Sequence, residues 1–422
     1  MPVDKSQIKE FEKIVVDGIE LTADWNRMFD QRTLFDYDST GCMDKITDLE
    51  GGESMGWCYQ CGQCLPVCPV DAVGGQYGPM RIAKKLQQGI DLFGDPDMWK
   101  CTSCMNCLRV CPKEVNMIKI MPAARAVAVL ESNVPKELQD VFEKTFEYGN
   151  PLGESPRKRA DWVAETGSTA PTMKELARPV DALWFVGSYP SYHKRGKDAS
   201  RALAKVLNLL GIDFGILGTE EKDDCDSMRL AGETGLFEEF AEYNIKTFKK
   251  YKFNKILLTD PHALNAFRKE YPKYGGNFEV VHYSTFLAPL MSQLNFTKEL
   301  NYKVTFHDPC YLGRHNGEFE APRNCLKAIP GIDLIEMGRC REQSFCCGGG
   351  GGGMWLDGFM SDHINERLSE NRVREAVETG ADVLAVCCPY EVSRFEDAVK
   401  STGNEGKLLV KDIAELMEEA LG

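Results

Sequence analysis

The chain has 422 residues, of which 43% are hydrophobic and 27% charged, and its net charge is −14. This length allows two or three domains of a soluble globular protein. The acidic balance argues against nucleic acid as a partner, because a phosphate-binding surface needs an excess of basic residues. The charged N-terminus predicts no secretory signal, and no window approaches the roughly 20 apolar residues that span a bilayer. We therefore expect a cytoplasmic protein that reaches a membrane only through a partner or a surface helix.

Seventeen cysteines are the most informative feature of the composition. Because reducing compartments keep thiols free, they favour metal ligation over a disulfide framework. Along the chain, residues 1–50 hold only short amphipathic pieces and are interpreted as an N-terminal extension. Residues 51–130 contain eight of the 17 cysteines. Residues 131–180 are polar and proline-bearing, which predicts a helical linker.

Two copies of one cysteine motif lie in residues 51–130, CYQCGQCLPVCP at 58–69 and CTSCMNCLRVCP at 101–112. Each reads C-x2-C-x2-C-x3-C-P, the run of two-cluster ferredoxins, in which the fourth cysteine binds the cluster of the other motif. Zinc sites use pairs of C-x2-C and need neither the third cysteine nor the Cys-Pro step. The spacing predicts two cubane 4Fe-4S clusters, one on the first four and one on the last four of these cysteines: Cys58, Cys61, Cys64, Cys111, Cys101, Cys104, Cys107 and Cys68.

The spacer between the two motifs, residues 80–99, has a helical pattern. It is longer than the spacer of a compact ββ ferredoxin. The region resembles the α-helical ferredoxin domain of succinate dehydrogenase and heterodisulfide reductase iron-sulfur subunits. We therefore expect residues 51–130 to form an α-helical ferredoxin domain.

From Asp181 onward, apolar runs that indicate strands alternate with amphipathic helical patterns. The predicted strands are residues 181–189, 212–218, 254–261, 302–309, 332–338 and 381–389, and the predicted helices are residues 199–211, 237–251, 319–331 and 363–380. The layout repeats over residues 181–300 and 301–422, which indicates an internal duplication. Alternating strands and helices favour mainly parallel sheets covered on both faces. The fold class is therefore α+β and multidomain.

In the second repeat the cysteines are Cys310, the pair Cys346 and Cys347, and the pair Cys387 and Cys388. Six glycines follow the first pair. This pattern resembles the cysteine-rich CCG domain of heterodisulfide reductase B and D subunits, of the K subunit of sulfite-reduction membrane complexes, and of glycolate and lactate oxidase iron-sulfur subunits. With the ferredoxin domain, the resemblance covers residues 51–415.

The resemblance implies a third 4Fe-4S cluster, because complete CCG domains bind a noncubane cluster through five cysteines. Here Glu391 stands where the family has its last cysteine, so the cluster is either an ordinary cubane or a noncubane cluster with Cys387 or Glu391 as fifth ligand. The remaining implied ligands are Cys310, Cys346, Cys347 and Cys388. The glycines after the cysteine pair are expected to let the backbone wrap the cluster: Gly348, Gly349 and Gly350.

Polar residues near these cysteines have more than one interpretation. His307 is either a proton donor or the partner in a structural hydrogen bond. Glu391 is a ligand, a proton relay or a surface carboxylate. Arg314 and His315 are expected to face solvent or an anionic substrate.

In the first repeat the corresponding positions carry no thiol. They are Ser188, Asp223, Asp224, Asp260 and Ala263. Because aspartates on exposed loops are commonly solvated, we expect a surface feature of a scaffold and not a metal site.

The resemblance implies an iron-sulfur oxidoreductase subunit on the inner face of the cell membrane. Its partners would be a membrane cytochrome b that oxidises quinol, other redox subunits, and a small sulfur-carrier protein. It would reduce a disulfide or trisulfide, with these residues taking part: Cys310, Cys346, Cys347, Cys388, His307 and Glu391. The alternatives are an electron-relay subunit of a dehydrogenase or acyl-CoA reductase complex, or an iron-sulfur subunit of a 2-hydroxy acid oxidase with a separate flavoprotein.

Overall fold

A computed structural model describes residues 14–16, 19–21, 42–164 and 169–422. Most of the predicted N-terminal extension, residues 1–50, therefore lies outside the described residues. Its two described segments before residue 42 are strands β1 (Ile14–Val16) and β2 (Ile19–Leu21), which pair antiparallel. Among the helices of the described residues, none combines the length and the hydrophobicity that a transmembrane span requires.

The cysteine-motif region is helical, and within residues 42–130 the structure describes no strand. Its helices are α1 (Cys42–Thr47), α2 (Pro69–Ala72), α3 (Pro79–Gln87), α4 (Asp97–Lys100), α5 (Asn106–Val110) and α6 (Met117–Leu130). The Cys-Pro step of the first motif starts α2, because Pro69 at the first helical position has a backbone already set for the helix. Ile82, Met98 and Ile120 are fully buried in the core between these helices. The predicted α-helical ferredoxin fold is confirmed.

Residues 131–180 connect this domain to the sheets through short helices. They are α7 (Lys136–Tyr148), α8 (Asp161–Ala164) and α9 (Met173–Leu176). Leu138 on α7 packs in the core of the ferredoxin region, whereas Trp162 on α8 packs in the core of the sheets. The connecting segment is thus held by packing at both ends.

The first repeat contains a four-stranded, fully parallel sheet in the order β4-β3-β5-β6. Its strands are β3 (Val180–Phe185), β4 (Phe214–Ile216), β5 (Phe253–Leu258) and β6 (Val280–His282). Its helices are α10 (Ser188–Tyr192), α11 (Lys194–Leu209), α12 (Asp226–Leu230), α13 (Thr234–Phe248), α14 (Pro261–Lys269) and α15 (Tyr283–Leu287). Helix α11 is amphipathic, and Leu203, Val206 and Leu207 lie on its buried face.

The second repeat contains a second parallel sheet, in the order β8-β7-β9-β10. Its strands are β7 (Tyr302–Phe306), β8 (Ile332–Leu334), β9 (Val383–Val386) and β10 (Leu409–Asp412). Its helices are α16 (Glu320–Ala328), α17 (Asp357–Ser361), α18 (Leu368–Glu378), α19 (Pro389–Ser401) and α20 (Ile413–Leu421). The strand order matches that of the first sheet, so the predicted duplication and parallel sheets are confirmed.

The predicted strands and helices of both repeats are all present, and the last strand of each sheet was not predicted. β6 has three residues and β10 has four, and each runs directly into the next helix. Segments this short have no periodicity to read. In the second repeat the loops after β7, β8 and β9 leave the carboxyl ends of neighbouring strands, where open parallel sheets place their sites. These loops carry the cysteines.

Candidate functional site

The eight ferredoxin cysteines gather around two neighbouring cavities. The first cavity is lined by Cys58, Cys61, Cys64 and Cys111, and also by Cys107. The second is lined by Cys68, Cys101, Cys104 and Cys107. Cys68 and Cys111 each lie at the cavity of the other motif, as the two-cluster pattern requires. The residues therefore fit the two predicted cubanes, and ligation itself stays a prediction.

The protonation of these thiols also fits a metal centre. Burial raises the pKa of Cys68 to about 12, and it raises the pKa values of Cys58, Cys64 and Cys107 as well. The protein alone therefore keeps these groups as neutral thiols. A bound metal changes this balance, because a coordinating thiol is deprotonated outright.

The third group of thiols is centred on Cys346. Its sulfur is within hydrogen-bonding contact of the thiols of Cys104, Cys310 and Cys347, and these contacts hold the pKa of Cys346 well below its usual range. Cys310 and Cys347 come from the loops after β7 and β8, as predicted. Cys104 belongs to the second ferredoxin motif, and the sequence predicts it only as a ligand of the second cubane. The second cubane site and the third site therefore touch.

Glu391 and His307 complete this third site. The Glu391 carboxylate, the His307 imidazole and the Cys347 sulfur lie within 4.8 Å of one another. His307 Nε2 is 3.2 Å from Glu391 Oε1. Glu391 is 1% exposed, so its interpretation as a surface carboxylate is wrong. Burial raises the pKa of Glu391 well above its usual value.

His307 makes a structural hydrogen bond and faces the site at the same time. Its Nδ1 accepts a hydrogen bond from Arg372 Nε at 3.0 Å, which leaves the proton of the neutral ring on Nε2, toward Glu391. Burial lowers the pKa of His307 well below its usual value, and the nearby Arg372 charge acts in the same direction. The two interpretations of His307 are therefore compatible.

Cys387 and Cys388 follow β9 and point into different surroundings. Cys387 packs in the main hydrophobic core with Cys325. Cys388 packs with Tyr189 and Tyr390, toward the first repeat. Neither is among the thiols that contact Cys346. The structure therefore brings together three thiols, a carboxylate and an imidazole, a donor set that fits an iron centre, and it leaves the ligand roles of Cys387 and Cys388 as predictions.

The glycine run at residues 348–353 makes two kinds of close contact. Next to the cysteine pair, the Gly348 N–H donates to the Cys346 sulfur at 3.3 Å, in keeping with the expected wrapping of a cluster. Further along, a Cβ on Gly350 would lie 2.4 Å from the Thr102 carbonyl oxygen, and one on Gly351 would lie 2.3 Å from that of Cys101. Gly350 thus admits the backbone of the ferredoxin domain, a contact that the sequence alone did not reveal.

Arg314 is buried, so the expectation that it faces solvent is wrong, and contact with an anionic substrate stays a prediction. It donates from Nη2 to the Cys310 sulfur at 2.8 Å, from Nε to the Cys104 carbonyl at 2.6 Å and from Nη1 to the Ser344 carbonyl at 2.7 Å. His315 beside it is half-buried and bonds through Nε2 to the Ser103 carbonyl at 2.9 Å. Arg314 and His315 are covered because the second ferredoxin motif packs directly onto the loop that follows β7.

Arg125, on helix α6, was missed by sequence reasoning. It is fully buried and donates to the carbonyl oxygens of Met98, Cys101, Leu230 and Gly351 at 2.7 to 2.9 Å. These acceptors belong to the ferredoxin region, the first repeat and the second repeat. The signal in the sequence that could have indicated it is an arginine inside the apolar stretch AARAVAVL, residues 123–130.

The aspartates of the first repeat are buried, so their expected solvation is wrong. Asp223, Asp224 and Asp260 are 3 to 4% exposed, and each accepts a hydrogen bond from a backbone N–H two residues ahead. Burial raises the pKa of Asp260 to about 6. They organise turns and helix starts. Among the described residues, the group that meets metal-donor spacing is His307, Cys347 and Glu391, and not these aspartates.

Two family models match the chain. Residues 304–390 match the cysteine-rich CCG domain, and residues 54–115 match the 4Fe-4S dicluster domain. Both matches fall on the cysteine clusters described above.

Three curated relatives illustrate the range of similar proteins. The probable iron-sulfur-binding oxidoreductase FadF of Bacillus subtilis and the EtfAB:quinone oxidoreductase of Syntrophomonas wolfei are each 35% identical over 72% of this chain. The chain spans 43% of the length of each of these two. The D subunit of the dihydromethanophenazine:CoB–CoM heterodisulfide reductase of Methanosarcina mazei is 32% identical over 86% of this chain and 93% of its own length.

Proposed function

Because this chain belongs to the family of heterodisulfide reductase D subunits and related iron-sulfur oxidoreductases, we propose that it is the iron-sulfur subunit of a membrane-associated redox complex. Electrons from quinol would enter through a membrane cytochrome b partner on the inner face of the membrane. They would leave by reducing a disulfide or trisulfide at the third site.

One observation carries this proposal, the contact between Cys104 and Cys346. Cys104 is a predicted ligand of the second cubane, and Cys346 is the centre of the third group of thiols. Electron transfer slows steeply with distance, and a contact between the two ligand sets is the shortest path that a protein can offer. The first cavity adjoins the second through Cys107, which lines both. The cysteines therefore form a continuous series.

Iron-sulfur clusters bound at these cysteines would supply one-electron transfer. The first two would be held by the eight ferredoxin cysteines, and the third by Cys310, Cys346, Cys347 and Glu391. Reducing a disulfide to two thiols consumes two electrons and two protons, and oxidising one quinol to quinone releases the same numbers. The pair formed by His307 Nε2 and the Glu391 carboxylate is the candidate path for protons at the site.

The test is electron paramagnetic resonance (EPR) of the anaerobically purified protein, with Cys346→Ala and the matched control Cys325→Ala. Cys325 is as fully buried as Cys346 but lies in the core, away from the site. In the wild type and the control we expect a signal that appears only when the oxidised protein meets a thiol substrate. In Cys346→Ala that signal should vanish with about four irons, while both cubane signals persist. A wild type without substrate-dependent signal would refute disulfide reduction.

A relay subunit is the second candidate, and the burial of the third site favours it. Cys310, Cys346 and Cys347 are 8%, 1% and 9% exposed. A relay hands electrons to another subunit and needs no substrate access. In that case the reduced protein would show a third cluster signal that no thiol changes, and Glu391→Cys would leave electron flow between the cubanes and an artificial acceptor unaltered.

A further inference from the structure

Arg314 bridges the last two cysteine groups of the electron path. We propose that it is a positioning residue with two effects, which rest on the proposed function. It holds the loop of the second cubane against the third centre, and it raises the reduction potential of that centre through its bond to Cys310.

The contacts of Arg314 are arranged for both effects. One nitrogen donates to the Cys310 sulfur at 2.8 Å, a second to the Cys104 carbonyl at 2.6 Å, and a third to the Ser344 carbonyl at 2.7 Å. The side chain is 9% exposed, so water does not screen it strongly. Within residues 42–164 and 169–422, Arg314 forms no ion pair with a carboxylate. The nearby Asp308 carboxylate is paired with Arg323 at 2.6 Å, so the hydrogen bonds of Arg314 are directed at the cysteine loops.

The effect on potential follows from the charge of an iron-sulfur centre. Reduction adds a negative charge, and hydrogen bonds to the sulfurs and nearby positive charge both stabilise that charge. Arg314 supplies the Cys310 sulfur with both a hydrogen bond and a nearby positive charge. The third centre should therefore accept electrons from the second cubane more readily with Arg314 than without it.

The positioning effect depends on the shape of the guanidinium. Three bonds from three nitrogens to three backbone and side-chain acceptors require its planar, forked donors. A lysine at the same position would keep the charge, but a single ammonium cannot reach three acceptors spread around a guanidinium plane. Arg314→Lys and Arg314→Gln therefore separate charge from geometry.

The control for net charge is Arg339→Gln. The Arg339 side chain is 41% exposed, it pairs with Glu375, and it stacks on Phe345 one residue before the cysteine pair. This substitution also removes one positive charge close to the third site, but it touches no cysteine sulfur.

The experiment is an EPR-monitored redox titration of the three centres in each variant, together with iron analysis. For Arg314→Gln we expect the equilibrium for moving an electron from the second cubane to the third centre to fall by about tenfold or more. A tenfold change corresponds to about 59 mV for one electron. The potential of the first cubane should not move. Arg314→Lys should lie between Arg314→Gln and the wild type, and Arg339→Gln should match the wild type.

The outcomes separate this inference from the proposed function. A wild type that contains no third centre refutes the proposed function. A wild type with a third centre whose potential is the same in iron-replete Arg314→Gln overturns the role of Arg314 alone. If Arg314→Gln fails to retain iron, Arg314→Lys is used for the test. The inference is overturned if the third centre of Arg314→Lys has the wild-type reduction potential and receives electrons from the second cubane at the wild-type rate.

Discussion

The contact between the glycine run and the ferredoxin domain can be tested by adding single methyl groups. Gly349→Ala, Gly350→Ala and Gly351→Ala place a Cβ at three successive positions of one loop. At Gly349 the nearest atom would be the Cys347 sulfur at 3.7 Å, an ordinary contact. At Gly350 and Gly351 it would be a backbone carbonyl oxygen of the second ferredoxin motif, at 2.4 and 2.3 Å.

The size of each effect follows from these distances. Ordinary contact begins near 3.4 Å, so at Gly350 the loop carrying Thr102 would have to retreat by about 1 Å. Overpacking of this kind costs about 1–3 kcal/mol. Gly351 also has φ +62, and a left-handed backbone adds roughly 1–2 kcal/mol for a residue with a side chain. Gly349→Ala should cost less than either.

The assay is anaerobic thermal unfolding combined with iron analysis and EPR of the second cubane. We expect the decrease in unfolding midpoint to be smallest for Gly349→Ala, larger for Gly350→Ala and largest for Gly351→Ala. The second cubane signal should be weakened in the last two variants. If Gly350→Ala and Gly349→Ala behave alike, the ferredoxin loop does not lie against Gly350, and docking of the two domains through this glycine is wrong.

Two further predictions concern cluster assignment and pH. Cys68→Ala should remove the signal of the second cubane and Cys111→Ala that of the first, because each cysteine lines the cavity of the other motif; EPR of the reduced variants checks this, and loss of the cubane of the mutated motif would contradict the crossed pattern. Burial raises the pKa of Asp412 from 3.8 to about 7, with Tyr283 donating to it at 2.7 Å. Between these two pKa values the folded protein holds a proton that the unfolded chain releases. The free energy of unfolding should therefore decrease as the pH rises from about 4 to about 7. Asp412→Asn should reduce that slope in denaturant titrations, and an unchanged slope would contradict the assignment.

The sequence predicted the parts of this protein that carry a local signal. Cysteine spacing indicated the ferredoxin motifs, and alternating patterns indicated the strands and the duplication. Contacts between distant segments carry no such signal. The bond from Arg314 to the Cys104 carbonyl joins residues 210 apart in the chain, and nothing near Arg314 in the sequence distinguishes a buried arginine from an exposed one. The burial of Asp223 was missed for the same reason.

The first repeat, which has no thiol at the positions corresponding to the cluster cysteines, has a structural role in holding the ferredoxin domain in place. Arg125 on α6 donates to Leu230 of the first repeat as well as to Gly351 of the second. Gly232 of the first repeat allows this approach, because a Cβ there would lie 2.4 Å from the Arg125 backbone. Glycines of both repeats thus allow close contact with the ferredoxin domain, and the Arg125 guanidinium donates hydrogen bonds to carbonyl oxygens of both repeats. Thiols at the cluster positions of the first repeat are not needed for this contact, whereas loss of the whole repeat would remove the Leu230 acceptor of Arg125 and the packing of Gly232 against α6.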